Sequence, residues 1–168
     1  ALVRARRVVV KVGGGARGAG PELMEFLELA DAVAVTSPLV SGVIPFDHPR
    51  NMTVGGSKGS ISGNYAMENA DLLVAVGSRF VCQADCSRTG YPAVEHVINI
   101  NTEPEAATHY GKTTAMVGDA GPTLRKLMEA LKQGSVEGGD APSPWMLDCT
   151  QQRQAWESFK KERYATPT

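Results

Sequence analysis

Glycines, small hydroxyls and arginines that follow apolar runs are the residues of this chain whose types and spacing suggest chemistry. Residues 7–12 (RVVVKV) run straight into Gly13, Gly14, Gly15, Ala16, Arg17 and Gly18. Glycines leave backbone N–H groups bare, and a glycine turn that opens a helix can cradle a phosphate. Gly13, Gly15 and Gly18 satisfy G-x-G-x-x-G. The dinucleotide form of that motif also needs an acidic residue at the end of the next strand, for the ribose hydroxyls. Here that strand, residues 32–35 (AVAV), runs into Thr36, Ser37 and Pro38. The glycine run therefore reads equally well as a phosphate turn and as a tight turn with no ligand. A second group closes residues 71–80 (DLLVAVGSRF). Gly77 permits a close approach, Ser78 offers a hydroxyl, and Arg79 can hold a phosphate or pair with Glu68 or Asp71. A third, Gly55, Gly56 and Ser57 with Lys58, sits in a loop-rich stretch, 37–63, and is either an anion-binding loop or plain surface.

Other chemistries find less support. Cys82 and Cys86 have three residues between them, with His96 nearby, but no second cysteine pair follows at a zinc-site spacing, so no metal site is expected. The three histidines and three cysteines are scattered, and no nucleophile–base constellation forms, so no catalytic residue is assigned. A net charge of −1 without a basic cluster argues against nucleic acid and anionic membranes. No apolar run reaches the length of a membrane span. An odd cysteine count points to reduced thiols and a cytoplasmic setting. The first residue is Ala1 rather than a methionine, and the chain is expected to be excised from a longer one.

The elements that would position these groups follow from periodicity. The run 72–76 is apolar without a polar break and too short for a helix, so it reads as a central strand buried on both faces. Residues 7–12, 32–35, 52–54, 94–100 and 113–117 read as further strands. Pro21 and Pro122 suit helix starts, and Leu124, Leu127, Met128 and Leu131 form one apolar stripe. Strands alternating with helices give a doubly wound, mostly parallel α/β sheet of five or six strands with helices on both faces, Rossmann-like. In such sheets ligands collect beyond the carboxyl ends of the strands, where the glycine groups fall. Residues 1–132 are read as one nucleotide-binding-like domain and 133–168 as a linker and terminal helix leading to a missing domain. Trp156 and Phe159 in that helix either meet another domain or fold back on this one.

The stretches RRVVVKVGGGAR, ADAVAVTSPLVSGVIPFDHPRN, ADLLVAVGSRF, VEHVININTEPE and VGDAGPTLRKLMEAL occur here in that order. Together they resemble the central domain of thiamine-diphosphate-dependent enzymes, the superfamily of acetolactate synthase, pyruvate decarboxylase and oxalyl-CoA decarboxylase. The similarity covers about residues 5–131.

The resemblance implies a three-domain, homo-oligomeric parent, a transferase or lyase acting on C–C bonds next to a carbonyl. Its other two domains, absent here, would hold thiamine diphosphate and Mg²⁺. The chain alone is expected to be inactive, because Gly118, Asp119 and Ala120 match a central-domain element rather than the Gly-Asp-Gly…Asn motif of the diphosphate site. Central domains of this kind hold FAD in acetolactate synthases, making them flavoproteins, and ADP or CoA in oxalyl-CoA decarboxylases. The positions matching the nucleotide site are Gly13, Gly14, Gly15, Arg17, Thr36, Ser37, Pro38, Gly55, Gly56, Ser57, Gly77, Ser78, Arg79, Asn101, Gly118, Asp119 and Ala120. Two departures bear on FAD. Asn101-Thr102-Glu103-Pro104 replaces Asp-Ile-Asp-Pro, and Val81-Cys82-Gln83 stands where charged residues are usual. A free-standing FAD- or NAD-binding domain of the electron-transfer-flavoprotein kind is the alternative.

Overall fold

Strands buried at every position belong in the middle of a sheet covered on both sides, and three here meet that description. The computed structural model describes residues 1–79, 89–108, 111–134 and 141–165. Strands β1 (Val8–Val12), β2 (Ala32–Thr36) and β4 (Leu72–Val76) are buried along their whole length. With β3 (Asn51–Val54), β5 (His96–Asn101) and β6 (Thr113–Val117) they form a six-stranded sheet in the order β3-β2-β1-β4-β5-β6. Every pairing is parallel, so all six strands end on the same edge. The order reverses between β1 and β4, the switch point of a doubly wound α/β fold.

Alternation along the strands splits the core in two. Val8, Val10 and Val12, with Leu72, Val74 and Val76, face helices α1 (Gly20–Leu29) and α4 (Ala120–Gln133). Leu23, Phe26 and Leu27 of α1 and Leu124, Met128 and Leu131 of α4 cover that face. Val9, Val33, Val35 and Leu73 face the other way, toward α2 (Ile61–Asn69) and α5 (Pro144–Ala165). A one-turn helix, α3 (Pro104–Ala107), joins β5 to β6. Edge strand β6 is largely exposed, having one neighbour and thin cover. Helix α4 starts at Ala120, ahead of Pro122, because the Asp119 carboxylate caps it by accepting the Gly121 N–H at 3.3 Å. Proline is tolerated in a first turn, where no intrahelical N–H bond is lost.

The terminal helix folds back through its first turns. Trp145, Met146 and Cys149 are buried in the second half-core. The Trp145 indole N–H donates to the Val8 carbonyl at 3.2 Å, and its ring stacks on Tyr65 with centroids 6.3 Å apart. Farther along, Trp156 is half-buried and Phe159 exposed. Buried Arg50 ties the loop before β3 to the α1–β2 turn, donating to Asp31 Oδ1 at 3.0 Å and to the Ala32 carbonyl at 3.2 Å. No described helix is long and apolar enough to cross a membrane.

Candidate functional site

Parallel pairing gathers every glycine-rich group on the carboxyl edge, each immediately after a strand. Gly13–Gly15 follow β1, Gly77 and Ser78 follow β4, and these two turns lock together at the switch point. The Gly13 N–H donates to the Val76 carbonyl at 2.9 Å and the Gly15 N–H to the Gly77 carbonyl at 3.0 Å. A Cβ on Gly13 would lie 2.4 Å from the Gly77 carbonyl oxygen, so the two backbones touch with no room for a side chain. Gly77 itself has φ +61°, a left-handed conformation that glycine adopts freely. The amides of Ala16 and Arg17 donate to the Gly13 and Gly14 carbonyls, at 3.0 and 3.4 Å. Much of the donor capacity of this turn is thus spent on seating it against β4. Gly14 differs: it is exposed, and a Cβ there meets nothing within 4 Å. Arg17, in the turn after β1, and Arg79, in the turn after β4, are exposed, and the Arg17 guanidinium donates to the Leu39 carbonyl at 3.5 Å.

The remaining candidates line the same edge. Thr36 is buried at the end of β2, and Ser37 N–H donates to the Val12 carbonyl at 2.9 Å; Pro38 then opens a short 3₁₀ turn. Asn101 clamps two strand ends: its Nδ2 donates to the Ser78 carbonyl at 3.1 Å and its Oδ1 accepts the Glu103 N–H at 3.2 Å. Its carbonyl accepts the Gly118 N–H at 2.9 Å, which brings Gly118–Ala120 alongside. Gly55, Gly56 and Ser57 lie at the end of β3, farther along the edge. Gly55 is walled in by Met67 and Val35, and the Gly56 N–H donates to Asn64 Oδ1 at 2.8 Å. Ser57 and Lys58 are exposed. Asp71 is engaged at the opposite end of β4 by the amides of Arg6 and Arg7, at 3.1 and 3.0 Å. Cys82 and Cys86 lie outside the described residues, and His96 is hydrogen-bonded across the strands to Thr114 Oγ1 at 2.9 Å.

A buried cation, Lys11, lies outside every group expected from the sequence. Lys11 is 0% exposed in the middle of β1, and its ammonium donates to the Gly55 carbonyl at 3.4 Å. Its signal was present: a lysine inside a β-branched run that must be covered on both faces is among the rarest of buried residues. A cavity of about 660 Å³ is likewise away from the carboxyl edge. It opens at the amino ends of β1 and β4, between Arg6, Arg7, Asp31, Asp71 and the start of α5. Beside it, burial and the Asp148 and Asp31 carboxylates push the Cys149 thiol up to about 12, so this cysteine stays an unreactive thiol at neutral pH.

The donors on the carboxyl edge suit an anion: Arg17 and Arg79 are exposed in the turns after β1 and β4, and Gly14 in the first of these turns is open. At the end of β2, where a carboxylate would meet ribose hydroxyls, stands Thr36, and Asn101 is already bonded on both sides. Among the described residues, no three His, Cys, Asp or Glu side chains gather as a metal site. The family described as "Thiamine pyrophosphate enzyme, central domain" matches residues 1–127. The chain belongs to the thiamine pyrophosphate enzymes. Acetolactate synthase isozyme 3 large subunit of Escherichia coli K12 is 32% identical over 171 residues, which cover 98% of this chain and 29% of that protein. Acetolactate synthase 1 of rice is 28% identical, over 89% of this chain and 23% of its own. A 3D-(3,5/4)-trihydroxycyclohexane-1,2-dione hydrolase of Listeria monocytogenes is 29% identical, over 98% and 26%. The chain thus spans less than a third of these relatives. A synthase and a hydrolase share this thiamine pyrophosphate enzyme domain, so the domain alone does not set the reaction.

Proposed function

We propose that this chain is the non-catalytic central domain of a thiamine-diphosphate-dependent enzyme that makes or breaks a C–C bond next to a carbonyl, as acetolactate synthases do. The observation that carries the reading is the 32% identity to an acetolactate synthase large subunit along 98% of the chain, with the family match over residues 1–127. Residues 1–132 form the body of the domain, the first turns of α5 complete its core, and the rest of 133–168 leads toward the next domain. Thiamine diphosphate, bound with Mg²⁺ by the other domains, supplies the nucleophilic carbon of the reaction. This chain's part is to space those domains and to offer an anion-binding edge. There Arg79 and Arg17 would hold the phosphates of FAD or ADP beside Gly14, with Ser37 and Ser78 near the same strand ends. The parent is a homo-oligomer acting in the cytoplasm.

The test uses the purified parent and the 168-residue chain side by side. Turnover of a carbonyl substrate by the parent should require both thiamine diphosphate and Mg²⁺. Calorimetry on the chain alone should show no Mg²⁺-dependent uptake of thiamine diphosphate. Tight uptake by the chain, or cofactor-independent turnover by the parent, overturns the reading.

A further inference from the structure

Helix α5 begins in the core and ends on an exposed ridge in which aromatic rings are plated with cations. Phe46, 58% exposed, projects from the loop after β2. The Arg153 guanidinium lies 4.3 Å from its ring centre and the Lys160 ammonium 5.0 Å. Arg153 also donates to the Phe46 carbonyl at 3.2 Å, so the loop and helix are pinned together. Lys160 reaches over Trp156 as well, at 5.6 Å; Trp156 stacks on Phe159 at 5.8 Å, and Arg163 covers Phe159 at 5.3 Å. Phe159 remains 41% exposed. Within residues 153–164 four cations stand against two glutamates, in a chain whose net charge is −1.

We propose that this ridge is an interdomain docking surface that receives an acidic face of another domain of the same polypeptide. Three observations favour that occupant. The ridge is positive where the chain as a whole is not, so a carboxylate-bearing face is its electrostatic complement. The relatives are more than three times as long as this chain, so most of each lies outside it and must pack somewhere. The rings and cations already hold one another in place, which lowers the entropy lost on docking. A polyphosphate partner fits less well, because Glu157 sits within the ridge, paired with Arg153 at 3.1 Å and Lys160 at 2.9 Å. The proposal rests on the reading of this chain as one domain of a larger enzyme.

Zero-length carbodiimide coupling of the full-length parent, followed by peptide mass spectrometry, tests it. Lys160 or Lys161 should couple to Asp or Glu outside residues 1–168 of the same polypeptide. Trp156 should also be several-fold less accessible to acrylamide in the parent than in the 168-residue chain. Arg163→Glu with Lys160→Glu should abolish the cross-links and restore quenching, while Lys126→Glu on α4 should leave both unchanged. Cross-links only within the 168 residues, links to α5 of a second copy, nucleic acid copurifying in a salt-sensitive manner, or equal quenching in both samples each overturn the proposal. Thiamine-diphosphate-dependent turnover, measured on the same parent sample, reports on the family reading separately. An active parent without these links defeats the docking surface alone.

Discussion

The two ends of the sheet are built in opposite ways. On the carboxyl edge, backbone meets backbone: the turn after β1 sits on the turn after β4, with Gly13, Gly15 and Gly77 in contact and the Gly13 and Gly15 amides bonded across. On the amino edge, a side chain does the joining. Trp145 fills the gap between β1 and α2, and a cavity of about 660 Å³ stays open beside it. Glycine therefore closes the end where ligand chemistry was expected, whereas charged and aromatic residues surround the end that holds open volume. A glycine-rich signature can thus be a packing requirement first. Among the described residues of that edge, Gly14, Arg17, Ser57, Lys58 and Arg79 stay exposed.

Removing Trp145 should have the largest effect. Trp145→Ala empties a buried site and strands the Val8 carbonyl, so about 3–5 kcal/mol of unfolding free energy should be lost. Urea denaturation measures it. A loss under about 1 kcal/mol would show that α5 is not part of this core. The carboxyl edge comes next. Gly77→Ala places a Cβ 2.5 Å from the Gly15 carbonyl carbon and forces alanine into the left-handed region. It should cost about 2–4 kcal/mol. Gly14→Ala, in open space, should change stability by less than about 0.5 kcal/mol in the same assay. Equal costs at the two glycines would break the contrast drawn between packing and exposed positions.

Arg79→Ala sharpens the comparison from the ligand side. If its guanidinium meets a nucleotide phosphate, removing a charge-assisted hydrogen bond should weaken ADP or FAD binding about 10- to 100-fold. The melting temperature should hardly move. Unchanged affinity would leave the carboxyl edge with packing as its sole role for Arg79's neighbours. The smallest effect is the pH response of Cys149, whose thiol is raised by burial, Asp148 and Asp31 from its ordinary value near 9 to about 12. The folded state binds this proton more tightly than the unfolded one. The thiol's contribution is therefore complete below pH 9 and is lost as pH climbs toward 12. Its share of the slope should approach about 1 kcal/mol per pH unit. Stability curves of wild type and Cys149→Ala between pH 8 and pH 10.5, roughly the range before lysines dominate, should begin to diverge near pH 9 and approach that slope above it. Parallel curves would show the thiol to be solvated.

Strand and helix positions were legible because their signals are local. The run 72–76 has no polar break, α4 carries its stripe at Leu124, Leu127, Met128 and Leu131, and the linker-like 133–144 separates two helices. Parallel topology followed from the alternation of strand and helix, and with it the placement of all the glycine groups on one edge. The family, too, was legible in the order of separate stretches, because each is short and retains its own turn chemistry. Three things needed the tertiary structure. Whether the amides of Gly13 and Gly15 were free or spent depended on how closely the turn after β4, more than sixty residues away, approaches them. That α5 joins the core depended on Trp145 finding the Val8 carbonyl across 137 residues of chain. The burial of Lys11 depended on both sheet faces being covered at its level. In each case local sequence sets what a residue can do, while distance across the fold decides which of its groups are already taken.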